Sequence, residues 1–122
     1  PKEVSLKDAI NNIGRAGMLV AALCKGNEKF LRNVFEDALH QPYRAKLIPG
    51  MYEVFNAAKK AGALGASLSG AGPCLIAYTL QRHHVEEAVG SAMRETFAHH
   101  GVKADILLLE LDTRGAHIVN DR

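Results

Sequence analysis

The chain has little of what several protein classes require. It holds two cysteines, Cys24 and Cys74, 50 residues apart, with no CxxC or Cys/His spacing, so no zinc site is encoded and no disulfide is called for. Two thiols within apolar stretches predict buried, reduced side chains. Excess charge is also missing: 15 basic residues against 13 acidic give a net charge of +2. The basic residues, among them Lys2, Lys7, Arg15, Lys25, Lys46 and Arg94, are scattered rather than striped, which gives nucleic-acid binding no support. No apolar run approaches the roughly 20 residues of a bilayer span, and the opening "PKEVSLKD" lacks the blocks of a signal peptide. There is no membrane segment, internal repeat or low-complexity tract, and the expected location is cytoplasmic. The opening on Pro1 without a methionine predicts a processed or excised piece of something longer.

What is present is one domain's worth of patterned sequence. At 122 residues, with 48% hydrophobic and 23% charged side chains, the chain is long enough for one core and too short for two ordinary domains. In "SLKDAINNIGRAGMLVAALCKG", Leu6, Ile10, Ile13, Gly17, Val20 and Cys24 recur at helical spacing, with Ser5 as N-cap, Asp8 three residues on and Gly26 as the stop. This predicts a helix with a buried face. Asn27 caps a second predicted helix, "EKFLRNVFEDAL", with a stripe of Leu31, Val34, Phe35 and Ala38 that ends where "HQPYRAKLIPG" brings two prolines. "MYEVFNAAKKAG" reads as a third helix. The period then changes: "ALGASL" and "CLIAYTL" read as strands of a hairpin. "HVEEAVGSAMRETFAHHG" is a fourth helix on Val85, Ala88, Val89, Ala92 and Met93, "ADILLLELD" a third strand, and "GAHIV" a short edge strand.

The order α-α-α-β-β-α-β predicts an α+β fold, a ferredoxin-like two-layer sandwich with helices on one face of an antiparallel sheet. The first strand of that topology is missing. Because that strand lies mid-sheet, its absence predicts a gap with unpaired backbone beside it, and self-association into a homo-oligomer is one expected response.

Residues 65–74, "GASLSGAGPC", hold the chemistry. Gly70, Ala71, Gly72 and Pro73 allow a tight turn with positive φ, and bare backbone lets a ligand approach where a Cβ would collide. Successive N–H groups in such a turn form an anion nest, with the Ser67 and Ser69 hydroxyls as further donors for phosphate or carboxylate. A plain hairpin turn uses the same residues. The loop matches neither the P-loop pattern nor G-x-G-x-x-G, since Pro73 and a strand follow rather than a helix. The adjacent pairs His83/His84 and His99/His100 point to different helix faces and make poor bidentate metal sites. Glu86 and Glu87 read as a solvated first turn.

Two stretches resemble a known family. "GALGASLSGAGPCLIAY" is similar to the third signature motif of the GHMP kinases, which include galactokinase, homoserine kinase, mevalonate kinase and phosphomevalonate kinase. Ser69 before Gly70 and Pro73 after Gly72 follow the form of the homoserine kinase branch. "LHQPYRAKLIPG", residues 39–50, resembles that branch's segment between the second and third helices of the C-terminal domain. The resemblance spans nearly the whole chain and implies that residues 1–122 are a GHMP kinase C-terminal domain. The implied reaction is ATP- and Mg²⁺-dependent phosphorylation of L-homoserine to O-phospho-L-homoserine, in threonine biosynthesis. Arg44 looks like the arginine that grips the substrate carboxylate, although an arginine beside Pro42 could equally be a solvated surface residue. Ser67, Ser69, Gly70, Ala71 and Gly72 would shape the substrate and phosphate end of the site, and His40 and Tyr43 would pack or position. No catalytic residue or metal ligand is expected in this chain, because nothing in it resembles the family's P-x-x-x-G-L-G-S-S-A-type ATP loop or the acidic groups that accompany it. Taken alone, the chain is expected to be inactive. The alternative is a non-enzymatic amino-acid sensor, since ferredoxin-like units also serve that role.

Overall fold

The first helix begins where the sequence says it should. Ser5 is extended, its hydroxyl accepts from the Asp8 N–H at 3.1 Å and donates to Asp8 Oδ2 at 2.7 Å, and α1 (Leu6–Lys25) follows. It stops at Gly26, which takes φ 60° so that the Asn27 N–H can turn back to the Ala22 carbonyl at 2.9 Å. Ser5→Ala is expected to cost about 1 kcal/mol, since the N-cap acceptor for the Asp8 N–H is lost. Urea denaturation followed by circular dichroism would read this as a lower midpoint with unchanged slope.

The molecule is described by a computed structural model covering residues 2–118. After α1 come α2 (Glu28–Leu31), α3 (Gln41–Arg44), a 3₁₀ turn at Ala45–Leu47, α4 (Met51–Lys60), the antiparallel hairpin β1 (Gly65–Leu68) and β2 (Leu75–Tyr78), and α5 (Glu86–His99). This is the predicted α+β arrangement. The hairpin pairs Gly65 with Tyr78, Ala66 with Ala77, Ser67 with Ile76 and Leu68 with Leu75. Ala66, Leu68, Leu75 and Ala77 pack with α4 and α5, whose Met51, Val54, Phe55, Ala58, Val89 and Phe97 complete the main core. Ser67, Ile76 and Tyr78 alternate to the other face. Phe35 closes part of that face, stacking on Tyr78 with ring centroids 4.4 Å apart, and lies where a Cβ on Gly65 would stand.

Four expectations are corrected. The apolar stripe of α1 is not buried: Leu6 is 77% and Ile13 71% exposed, and Ile10 and Val20 are also open. Its opposite side does the packing, with Ala22 and Leu19 against Leu31, Val34 and Leu64. Periodicity marks a face that favours cover without providing the cover. The second helix ends at Leu31 rather than Leu39, because the Asn33 amide caps the Lys29 carbonyl at 3.0 Å and the Asp37 carboxylate then collects the N–H groups of the next turn. The third strand does not form. Val102, Ala104 and Ile106 alternate inward as a strand would, Ile106 against Gly90 of α5, but residues 102–112 join no ladder, and Leu107, Leu108, Leu109 and Leu111 are exposed, the last at 94%. An extended segment needs a neighbour to pair with, and the sheet as described has two strands. Residues 115–118 of "GAHIV" form no strand, and Val119 lies outside the described residues.

Candidate functional site

The hairpin's tip is the glycine loop. The Ser69 N–H closes it on the Cys74 carbonyl at 2.9 Å, and the Gly72 N–H turns back to the Ser69 carbonyl at 3.1 Å. Gly70 and Gly72 take φ 57° and 81°, and the Gly72–Pro73 peptide is cis. Ser69, Gly70 and Ala71 are exposed, and the N–H groups of Gly70 and Ala71 donate to no acceptor among the described residues. Two open amides beside a serine hydroxyl suit an anion. Gly72 is confined as well: a Cβ there would stand 3.0 Å from Leu68 Cδ1 and 3.2 Å from Ile48 Cδ1. Ser67 is not part of this tip. It sits within β1 opposite Ile76, and its hydroxyl lies 3.3 Å from that of Tyr78.

Arg44 ends α3, and Pro42 occupies that helix's first turn, where its missing N–H costs nothing. The segment carrying Arg44 touches the hairpin at both ends, through Gln41 at Leu68 and through Ile48 beside Gly72. Arg44 Nε donates to His40 Nε2 at 3.2 Å, which requires that imidazole nitrogen to be unprotonated. Its Nη groups have no partner among the described residues, so the end of the guanidinium remains open to a carboxylate. His40 thus touches the Arg44 guanidinium, while Tyr43 is exposed and makes no side-chain hydrogen bond among the described residues.

The sequence reading missed what holds this segment. The Asp37 carboxylate accepts from the N–H groups of Leu39 (3.0 Å), His40 (2.8 Å) and Gln41 (2.5 Å) and from the side-chain amide of Asn12 on α1. Asn12 also accepts the Ala38 N–H at 2.9 Å. Partial burial pushes the Asp37 carboxyl up, but the hydrogen bonds from Gln41, Asn12, Leu39 and His40 outweigh it and hold its pKa below the ordinary value. Burial, then the Asp37 charge, push the nearby Tyr52 hydroxyl up. An acidic residue a few positions ahead of "HQP" was the available signal, since carboxylates favour helix starts.

The cysteines depart from expectation: both are free and both are exposed. Each sits at the edge of an apolar run, Cys24 in the last turn of α1 and Cys74 at the end of the loop. No group of three or more metal-ligating side chains occurs among the described residues. His83 lies 3.5 Å from Glu28, and His100 packs against Gly50. No described helix is long and apolar enough to cross a membrane.

A family model described as the C-terminal part of the GHMP kinases matches residues 18–99, which include the Arg44 segment and the glycine loop. The chain belongs to the GHMP kinase family. Among curated relatives, the homoserine kinase of Carboxydothermus hydrogenoformans is 45% identical over 95% of this chain and 37% of its own length. That of Nostoc punctiforme is 46% identical over 95% of this chain and 38% of its own length. The crystal structure of homoserine kinase from Cytophaga hutchinsonii superposes with a TM-score of 0.74 at 37% identity, covering 81% of this chain and 31% of that one. The chain therefore spans under two fifths of the relatives it matches.

Proposed function

We propose that this chain is the C-terminal domain of a homoserine kinase, catalysing transfer of the γ-phosphoryl group of ATP to the side-chain hydroxyl of L-homoserine, a step toward threonine in the cytoplasm. The observation that carries this reading is the identity of about 45% to curated homoserine kinases along 95% of the chain. In this reading Arg44 holds the amino acid's carboxylate through its open Nη pair, with Nε kept on His40. The amides of Gly70 and Ala71 and the Ser69 hydroxyl face the oxygens of the phosphoryl group in transit, where preorganised donors stabilise developing charge. Ser67 supports the strand behind them rather than the ligand. When bound, ATP would supply the phosphoryl group and Mg²⁺ would offset its charge. The loop amides fit phosphate oxygens, but no acidic cluster among the described residues fits Mg²⁺, so the remainder of the enzyme is assigned the metal and most of the nucleotide. The chain's own part is to orient the acceptor and line the loop.

A coupled ADP-release assay tests this. The full-length enzyme is expected to turn over with L-homoserine, and the 122-residue chain alone to show none. Turnover by the chain alone would overturn the division of labour. Failure of the full-length protein to phosphorylate homoserine, with amino-acid binding by the isolated chain, would favour the sensor reading, which the homologues do not support.

A further inference from the structure

Gln41 is 5% exposed, a primary amide set in the protein interior. A buried amide is costly unless its two ends find partners, and both do: Oε1 accepts the Leu68 N–H at 3.0 Å and Nε2 donates to the Phe35 carbonyl at 3.3 Å. The first contact has the sharper consequence. Ser69 bonds across the hairpin to Cys74, so by antiparallel alternation the preceding Leu68 N–H turns away from β2 to the open edge of β1. Gln41 takes that edge donor one peptide before the glycine loop begins. Its own N–H is held by Asp37, so the residue is fixed at backbone and side chain together. Arg44 follows three positions later on the same helical turn.

We propose that Gln41 is a positioning residue that sets Arg44 relative to the loop at residues 69–72, making a single rigid unit of the carboxylate grip and the phosphoryl-facing amides. This rests on the function proposed above. Geometry at such a site matters at the ångström scale, and displacements of that size cost one to two orders of magnitude in rate or binding.

The test is steady-state kinetics of Gln41→Met in the full-length enzyme, a change that keeps volume and removes both hydrogen bonds. The expected result is a KM for L-homoserine raised about tenfold with the KM for ATP unchanged, and no further rise when Gln41→Met is added to Arg44→Ala. Gln41→Glu retains an acceptor for Leu68 but faces the Phe35 carbonyl with a donor only when protonated, so it is expected to recover most of the loss at low pH and little of it at high pH. If Gln41→Met does not accumulate as folded protein, the same KM comparison is made on Gln41→Glu at low pH, where protonation supplies the donor its carboxylate lacks, and at high pH. There the KM for homoserine is expected to rise with pH more steeply than in the parent enzyme. An unchanged KM for homoserine in Gln41→Met, or in Gln41→Glu at both pH values, overturns the proposal if Arg44→Ala still raises it. An unchanged KM in Arg44→Ala overturns the site reading itself, and this proposal falls with it.

Discussion

Arg44→Ala is expected to raise the KM for L-homoserine in the full-length enzyme by about 100-fold, close to 3 kcal/mol at 1.36 kcal/mol per tenfold, and to leave the KM for ATP within a factor of about two. The size follows from what is removed. A guanidinium presents parallel donors matched to a carboxylate, such charge-assisted pairs are about twice as strong as neutral ones, and the substrate carboxylate would be left without its counter-charge. In the proposed role the grip would use the two Nη groups, since Nε is spent on His40 at 3.2 Å. Arg44→Lys is the informative second variant. It keeps the charge and loses both the fork and the His40 anchor, so it should recover no more than about one order of magnitude. A KM for homoserine within about twofold of the parent in Arg44→Ala would instead make Arg44 a solvated surface arginine beside Pro42.

How far the sequence could reach is clearest in neighbouring residues that fared differently. Ser5, Asp8, Gly26 and Asn27 act within a few positions of themselves, and each cap forms as read. The loop's turn is equally local, resting on the positive φ of Gly70 and Gly72. Leu6, Ile10 and Ile13 show the limit of periodicity, because amphipathicity is a property of one helix and burial a property of two surfaces. The leucines of residues 107–111 make the same point for strands. β propensity identifies residues fit for a ladder, but the ladder needs a partner with free donors and acceptors. Gln41 was missed for another reason, since its partner Leu68 lies 27 residues away, and of Asp37 only the local half was legible, a carboxylate ahead of a helical turn, while its tie to Asn12 spans 25 residues. The family motif marks the loop and Arg44, while the groups that join them are visible only in three dimensions.

Asp37→Ala is expected to lower the unfolding free energy by about 3 kcal/mol, since one carboxylate serves three backbone N–H groups and the Asn12 amide, and partly buried donors left without an acceptor each cost about 1 kcal/mol or more. Asp37→Asn keeps one oxygen acceptor without the charge and should lose about half as much. The pH dependence separates this account from a general packing defect. The folded-state pKa of Asp37 is lowered, so the unfolded chain takes up the proton first and acid drives unfolding. The carboxylate's contribution is complete above the ordinary aspartate value of about 4 and is lost as pH falls from there through the lowered folded value. Glu28 has a lowered pKa too, through its hydrogen bond to Arg32, its contact with Arg82 and the neighbouring His83, against some desolvation, and so adds acid sensitivity of the same sign. That part is common to both proteins and cancels in their difference. Urea midpoints of parent and Asp37→Ala should therefore lie far apart at pH 7 and converge below about pH 4, and parallel curves would show that the residue acts through packing instead. Convergence would also locate the site's acid weakness: with Asp37 protonated, the turn that presents Arg44 and Gln41 to the loop loses the charge that gathers its amides, and the carboxylate grip should fail before the α4–α5 core unfolds.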